Sequence, residues 1–210
     1  SAGSDSVVDR ACDFVSDQVH LEDTAAYCRE TVRRVRSRPR PYMNIEYGYE
    51  EGEEALRTYR SRATASWRTI LRWTWAVYAG GGYPCYYYSN TAWDLVKFFP
   101  EPEGWARYRF LRDFLAQFRL NPMQPATETV SRGFCLAEEG RQYLVFLPEG
   151  RDVQLDLSRM PQDRALTCVW MDIFSGERTC GTVNGRVFRT RLDNPLADTG
   201  AACAVAVRAD

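Results

Sequence analysis

The chain has 210 residues, which is enough for one domain of ordinary size or two small ones. Its 27 Lys and Arg nearly balance its 28 Asp and Glu, so its charge favours neither nucleic acid nor an anionic membrane as a partner. The seven Cys, which include no C-x-x-C pair, and the single His argue against a zinc site, and we expect no metal or other cofactor.

The sequence opens on small polar residues, SAGS, without an initiator Met. This start predicts no signal peptide and indicates either a processed N-terminus or a chain that begins within a longer gene product. No apolar run reaches the roughly 18 residues of a membrane span, and nothing in the sequence favours one cellular compartment.

Residues 1–120 alternate short apolar strands with amphipathic helices. The first strand is predicted within residues 11–20, where CDFV precedes a polar tip. Apolar residues then recur at three- and four-residue steps from 24 to 36, which predicts a helix. The later predicted elements are a strand at 42–45, a helix at 63–79 that the glycines at 80–82 end, a strand at 83–88 and a helix at 104–120. This order is typical of βα units in a parallel sheet.

The second of these strands ends on a carboxylate. Pro39 and Pro41 exclude a helix before it, residues 42–45 are extended, and Glu46 follows. A charge at the tip of a buried strand is costly unless it has partners or a task, and catalytic groups of parallel α/β barrels lie at the strand C-termini. The stretch alone leaves two interpretations open, an active-site carboxylate or a strand that runs out into a polar loop.

Beyond residue 120 the helical period ends, and we predict a small antiparallel β-sandwich over 121–210. The Asn184-Gly185 pair predicts a two-residue hairpin turn. Cys168 and Cys180 either face each other across neighbouring strands or remain reduced thiols. Strands are predicted at 134–137, 142–147, 153–157, 166–174, 186–192 and 201–207.

The predicted fold class is therefore α/β followed by all-β, and the α/β part is short. A (β/α)8 barrel takes about 250 residues, whereas residues 1–120 hold about three βα units. Three units leave two open sheet edges. They form either a small open domain or the last βα units of an incomplete barrel. The open sheet edges would be covered by a missing N-terminal barrel portion or by a second copy of the chain.

Two stretches of the first half resemble the apiosidase-like glycosidases, glycoside hydrolase family 140 and its relatives. DFVS at 13–16, with His20 behind it, resembles their sixth barrel strand. MNIEYGYE at 43–50 resembles their seventh strand, whose first glutamate is the nucleophile.

The resemblance continues at 68–82 and Trp93, which resemble the approach to barrel strand eight and the tryptophan after it. VWMDIFSG at 169–176 resembles a hairpin of the C-terminal β-sandwich, which carries a collagen-binding label in that family. The sequence departs from the family at Tyr88 and Ser89, near which the family has a glycine and a histidine.

The resemblance implies a retaining glycoside hydrolase that cleaves an O-glycosidic bond in a poly- or oligosaccharide, with Glu46 as the nucleophile. In the family the acid/base carboxylate lies on barrel strand four, which this sequence lacks, so the chain alone is expected to be inactive. The sugar-binding candidates are His20, Asn44, Tyr49, Glu50, Tyr87, Asn90 and Trp93.

Some of these residues have a second interpretation. Asn44 precedes Glu46 by two residues, so its side chain points the same way. Glu50 either binds the sugar or orders its own loop by accepting hydrogen bonds, and Asp17 with His20 forms either a substrate-side or a loop-ordering pair. For the chain as a whole the alternatives are a non-catalytic carbohydrate- or protein-binding module, in which residues 121–210 act, and an inactive gene fragment.

Overall fold

The computed structural model describes residues 12–38, 40–53, 64–92, 97, 99–196 and 201–209. The chain divides into two compact units, Ser1–Ala106 and Arg107–Asp210. The domain boundary predicted after residue 120 falls later in the chain than this division. Each unit has its own sheets, and the prediction that the chain contains both α and β structure is confirmed.

The first unit is built on a parallel sheet of three strands, in the order β1-β2-β5. These are β1 (Val15–Gln18), β2 (Tyr42–Glu46) and β5 (Tyr83–Pro84), and β2 pairs in parallel with both neighbours. Parallel pairing brings the C-terminal ends of all three strands to one edge of the sheet. A smaller parallel pair is formed by β3 (Tyr49–Glu50) and β4 (Thr64–Ala65).

Two helices connect the three parallel strands. Helix α1 (Thr24–Ser37) begins at Asp23, whose side chain accepts a hydrogen bond from the Ala25 amide at 2.7 Å. Helix α2 (Trp67–Ala79) is capped by Ser66 and ends at Gly80, as the Gly-rich stretch predicts. The predicted start at residue 63 lies outside the described residues, and 64–65 form a strand instead.

Aromatic side chains fill the space between the helices and the loop that follows β2. The Tyr27 ring on α1 lies 5.0 Å from Trp73 on α2 and 6.1 Å from Tyr47, measured between ring centroids. Gly48 has φ +154°, and a Cβ there would lie 2.8 Å from the Trp73 ring. Glycine at this position therefore lets the chain turn away from β2 directly against α2.

Two predicted elements of the first half are shorter than the sequence pattern indicates. Of the strand predicted at 83–88, Tyr83–Pro84 pairs with β2, and the Cys85 amide donates to the Asn44 carbonyl at 3.2 Å. Tyr88 instead forms an isolated bridge with Glu50. The helix predicted at 104–120 consists of a 3₁₀ turn, Trp105–Arg107, and helix α3 (Tyr108–Leu115).

The second unit contains a six-stranded antiparallel sheet, in the order β11-β10-β13-β8-β7-β6, and a two-stranded sheet formed by β12 and β9. Apolar side chains from both sheets, including Val145, Leu155 and Trp170, belong to one buried core. The strands are β6 (Gln124–Pro125), β7 (Phe134–Glu138), β8 (Gln142–Leu147), β9 (Val153–Leu155), β10 (Leu166–Asp172), β11 (Arg178–Cys180), β12 (Thr190–Leu192) and β13 (Cys203–Ala209).

The turn between β10 and β11 is stabilised by Asp172, a buried residue. Its Oδ1 atom accepts hydrogen bonds from the amides of Phe174 at 2.7 Å and Ser175 at 3.2 Å. Gly176, with φ +77°, completes the turn. The hairpin predicted at Asn184-Gly185 is wrong, because β11 pairs with β10 whereas β12 pairs with β9 in the other sheet.

All seven cysteines are free thiols. Cys180 lies opposite Val169 in the β10–β11 ladder, so the side chains of Cys168 and Cys180 lie on opposite faces. Within the described ranges, no helix is both long and apolar enough to cross a membrane.

Candidate functional site

Glu46 is the last residue of β2, the central strand of the parallel sheet. Gln18, the last residue of β1, lies beside it in the ladder, after a shift in register between Asp17 and Gln18. The shift matters because it aligns the two strand tips. Residues that follow β1, β2 and β5 therefore converge on Glu46 from neighbouring strand ends.

Three side chains hydrogen-bond or pair with the Glu46 carboxylate. Gln18 donates from Nε2 to Oε2 at 2.9 Å, and Nε2 of His20 lies 3.2 Å from Oε1. The Tyr49 hydroxyl donates to the same carboxylate. Because a carboxylate is a hydrogen-bond acceptor, three polar side chains from separate segments restrict its rotation.

Tyr49 connects this carboxylate to an exposed aromatic ring. Burial, together with the hydrogen bond to Glu46, raises the pKa of the Tyr49 hydroxyl well above its usual value. Its ring lies 5.4 Å from that of Tyr87 at an angle of 49°. The structure thus brings four of the predicted residues together, Glu46, His20, Tyr49 and Tyr87.

Tyr27 holds the loops around this group, a role that the local sequence pattern does not predict. Its hydroxyl accepts a hydrogen bond from the Leu21 amide at 2.8 Å and donates to the Tyr47 carbonyl. One buried hydroxyl therefore joins the segment after β1, which carries His20, to the segment after β2. Burial raises the pKa of Tyr27 to about 12, so the hydroxyl remains a donor. Gln18 was also missed as a partner of Glu46, although it stands in the polar tip of the first predicted strand.

Asn44 is buried and binds the backbone of a neighbouring segment. Its Oδ1 accepts from the Val19 amide and its Nδ2 donates to the Val19 carbonyl, both at 3.2 Å. The amide therefore fastens the chain between Gln18 and His20 to β2. Through these two bonds Asn44 positions partners of Glu46.

Glu50 lies in a separate buried cluster. Its carboxylate accepts hydrogen bonds from the Tyr86 hydroxyl at 2.7 Å and from the Gly104 amide at 2.9 Å. These bonds agree with the second interpretation of Glu50, in which its carboxylate orders a loop. Burial raises the pKa of Glu50 despite these hydrogen bonds. Tyr49 and Glu50 are consecutive strand residues, so their side chains point to opposite faces.

Asn90 is also buried and contacts protein groups. Its Nδ2 donates to the Tyr88 hydroxyl at 3.1 Å, and the neighbouring Ser89 hydroxyl accepts from the Gly52 amide at 2.7 Å. A Cβ on Gly52 would lie 2.1 Å from Oδ1 of Asn90, so the loop passes directly over this amide. Trp93, the remaining sugar-binding candidate, lies outside the described residues.

Asp17 and His20 have different partners, so they do not act as the pair that the sequence suggested. Asp17 accepts a hydrogen bond from Nη1 of Arg34 on α1, whereas His20 pairs with Glu46. Glu22, two residues after His20 in the chain, is exposed. No group of three or more His, Cys, Asp or Glu side chains in the described part of the chain is placed to hold a metal ion.

No family model matches the sequence, and no curated protein matches it. Solved structures do. A glycoside hydrolase family 5 protein of Bacteroides vulgatus ATCC 8482 superposes with a TM-score of 0.67 at 15% identity, over 90% of this chain and 46% of that one. A protein named glycoside hydrolase gives 0.66 at 14% identity, over 90% of this chain and 47% of that one. A further Bacteroides vulgatus chain, whose glycoside hydrolase assignment is itself provisional, gives 0.65 at 15% identity, over 100% of this chain and 43% of that one.

These likenesses support a glycoside hydrolase-like fold for the chain. They do not single out the apiosidase-like family, because the neighbour with a stated family belongs to family 5. The chain spans less than half the length of each of the three solved structures.

Proposed function

We propose that this chain is the C-terminal part of a retaining glycoside hydrolase and that Glu46 is its nucleophile. In this proposal the first unit supplies the last βα units of an incomplete (β/α)8 barrel, and the second unit is a β-sandwich. The observation that carries the proposal is the position of Glu46, at the C-terminal end of the central parallel strand with donors from Gln18, His20 and Tyr49 around its carboxylate.

In a retaining reaction the Glu46 carboxylate would attack the anomeric carbon and form a glycosyl ester, while the glycosidic C–O bond breaks and an acid protonates the leaving oxygen. Water would then hydrolyse the ester, with the same acid, now deprotonated, acting as base. The two carboxyl groups of such enzymes lie about 5–5.5 Å apart. Asp17 and Glu50 have other partners, so we assign the acid/base to a barrel strand N-terminal to this chain.

The other site candidates would act in two ways. His20 and Tyr49 would hold the nucleophile, and the exposed Tyr87 ring beside Tyr49 would contact the sugar, together with Trp93. Asn44, Glu50 and Asn90 would act indirectly, because their polar atoms bind protein groups. Among glycoside hydrolases, we favour the apiosidase-like group because of the MNIEYGYE stretch at 43–50, although Tyr88 and Ser89 depart from its pattern.

The test is hydrolysis of aryl glycosides and plant polysaccharides by the chain alone and by an assembly that supplies the upstream barrel strands. We expect activity only in the assembly, and labelling by a 2-fluoroglycoside inactivator on the peptide that contains Glu46. Glu46→Gln should abolish turnover and labelling, and Glu22→Gln, which changes an exposed carboxylate near His20, should not. Full turnover by the Glu46→Gln assembly would exclude Glu46 as the nucleophile.

A second candidate function is a non-catalytic binding module. The second unit favours it, because residues 107–210 have a buried core of their own. Retention of the whole chain on insoluble polysaccharide or collagen, together with no hydrolysis by the complete assembly, would support this function over the first.

A further inference from the structure

A cavity of about 290 Å³ in the second unit is lined by four arginines, Arg119, Arg141, Arg164 and Arg208, and by a single carboxylate, Glu138. Its volume is near the lower end of the roughly 300–1,000 Å³ of ligand pockets. The residues that line this concave space therefore carry four positive charges and one negative charge. Like charges brought together repel one another unless an anion lies between them.

The single carboxylate in this cavity already has partners. Glu138 accepts a hydrogen bond from Nε2 of Gln142 at 3.0 Å, and Nε of Arg141 lies 3.6 Å from its Oε1. In the part of the chain that the structure describes, the guanidinium groups of Arg119 and Arg164 have no carboxylate partner. These two cations are available to a ligand.

Arg208 is held at the cavity wall. It donates from Nη1 to the Gln117 carbonyl at 3.0 Å. Its Nε is buried and has no hydrogen-bond partner among the described residues. The bond to Gln117 therefore restricts the side chain of Arg208, which lines the cavity.

The wall of the cavity is rigid where these arginines attach. The buried amide of Gln142 binds both backbone groups of Arg119, accepting from its N–H at 3.1 Å and donating to its carbonyl at 2.8 Å. Arg208 lies opposite Gln142 in the β8–β13 ladder. Arg119 and Arg208 are therefore held beside each other by a sheet and a side-chain amide, and not by a loop alone.

We propose that this cavity binds an oxyanion, a carboxylate or sulfate group, in the second unit and separate from the Glu46 site. Guanidinium groups match these anions because their planar N–H donors pair with two oxygens at once. The oxyanion can belong to an acidic sugar such as a uronic acid or be a free inorganic ion. Binding at this site does not depend on the proposed glycosidase activity.

The test is calorimetric titration of the whole chain with glucuronate, with glucose as its neutral match, and with inorganic sulfate, at low and high NaCl. We expect glucuronate or sulfate to bind, glucose not to bind, and affinity to fall with salt. Binding of glucuronate supports an acidic sugar as ligand, and binding of sulfate alone supports a site for a free oxyanion. No anion binding at millimolar concentrations overturns the proposal.

The variants Arg119→Gln and Arg208→Gln locate the site. Each should weaken anion binding about tenfold or more, the loss expected from one charge-assisted hydrogen bond. Arg151→Gln, which removes the same charge from an arginine outside the cavity, and Glu46→Gln should leave it unchanged. Arg119→Gln keeps the backbone contacts with Gln142, so it remains informative if Arg208→Gln fails to fold. Equal affinity in Arg119→Gln and Arg151→Gln overturns the proposal.

Discussion

The Nε2 atom of His20 lies 3.2 Å from Oε1 of Glu46, although helix α1 separates the two residues in the chain. The exposed fractions of the two side chains are 38% and 26%, so the pair lies at the surface of the strand-end cluster and does not belong to the core. A pair this accessible contributes little to stability, about 0–1 kcal/mol. We therefore interpret His20 as a residue that positions the Glu46 carboxylate.

We predict that His20→Ala lowers the free energy of unfolding by no more than about 1 kcal/mol. In an active assembly it should lower turnover by roughly tenfold or more, because misplacing a catalytic group by about 1 Å costs on the order of 10²-fold. His20 is the only histidine, so its ring resonances report on Glu46 without assignment. Glu46→Gln should shift them and Glu22→Gln should not. Unchanged ring shifts in Glu46→Gln would contradict the pairing.

Asn44→Ala should destabilise the fold by about 1–3 kcal/mol, because it leaves the Val19 amide and carbonyl without their partners. Urea unfolding measures this loss, and hydrogen exchange at the Val19 amide should become faster. Asn121→Ala, at an exposed position, is the control and should stay within about 0.5 kcal/mol of the wild type. A wild-type exchange rate at Val19 in Asn44→Ala would count against the proposed tie.

Glu50→Gln should become relatively more stable than the wild type as the pH rises. Because burial raises the pKa of Glu50 in the folded state, the folded chain binds this proton more tightly than the unfolded chain does. Stability from Glu50 is therefore present below the unfolded pKa and is lost as the pH rises through the raised folded pKa. The glutamine is neutral throughout, so it lacks this loss.

The measurement for Glu50 is the free energy of unfolding of both proteins between about pH 4 and pH 8, a window that spans the usual glutamate pKa. Glu50→Ala is the matched comparison. Glu50→Ala should be less stable than the wild type at every pH, by about 1–3 kcal/mol, because the Gly104 amide loses its acceptor. A difference between wild type and Glu50→Gln that is constant with pH would refute the raised pKa.

Thiol labelling should separate the cysteines by burial. Cys12 and Cys180 are exposed and should react first with a disulfide reagent at pH 8. Burial raises the pKa of Cys135 to about 12 and that of Cys203 to about 11. Only a small fraction of these thiols is therefore ionised, and they should react only after unfolding in urea. Mass spectrometry of labelled peptides distinguishes them. Labelling of Cys135 in the folded chain as fast as Cys180 would contradict the packing.

Local sequence patterns were sufficient for the elements that lead to the candidate site. The apolar steps from 24 to 36 predicted α1, Pro39 and Pro41 predicted the extended run before Glu46, and Gly80 predicted the end of α2. These signals work because helix period, proline geometry and glycine caps act over a few neighbouring residues. The position of Glu46 at a strand tip belongs to this class.

Only the tertiary structure decided which groups surround that tip. Gln18 reaches Glu46 because the β1–β2 ladder shifts register. Glu50 accepts a hydrogen bond from the amide of Gly104, which lies more than fifty residues further along the chain. The Asn184-Gly185 signal failed for the same reason, since β11 and β12 found partners in different sheets. Hydrogen-bond partners across strands depend on register and long-range closure, and local residue patterns do not specify either.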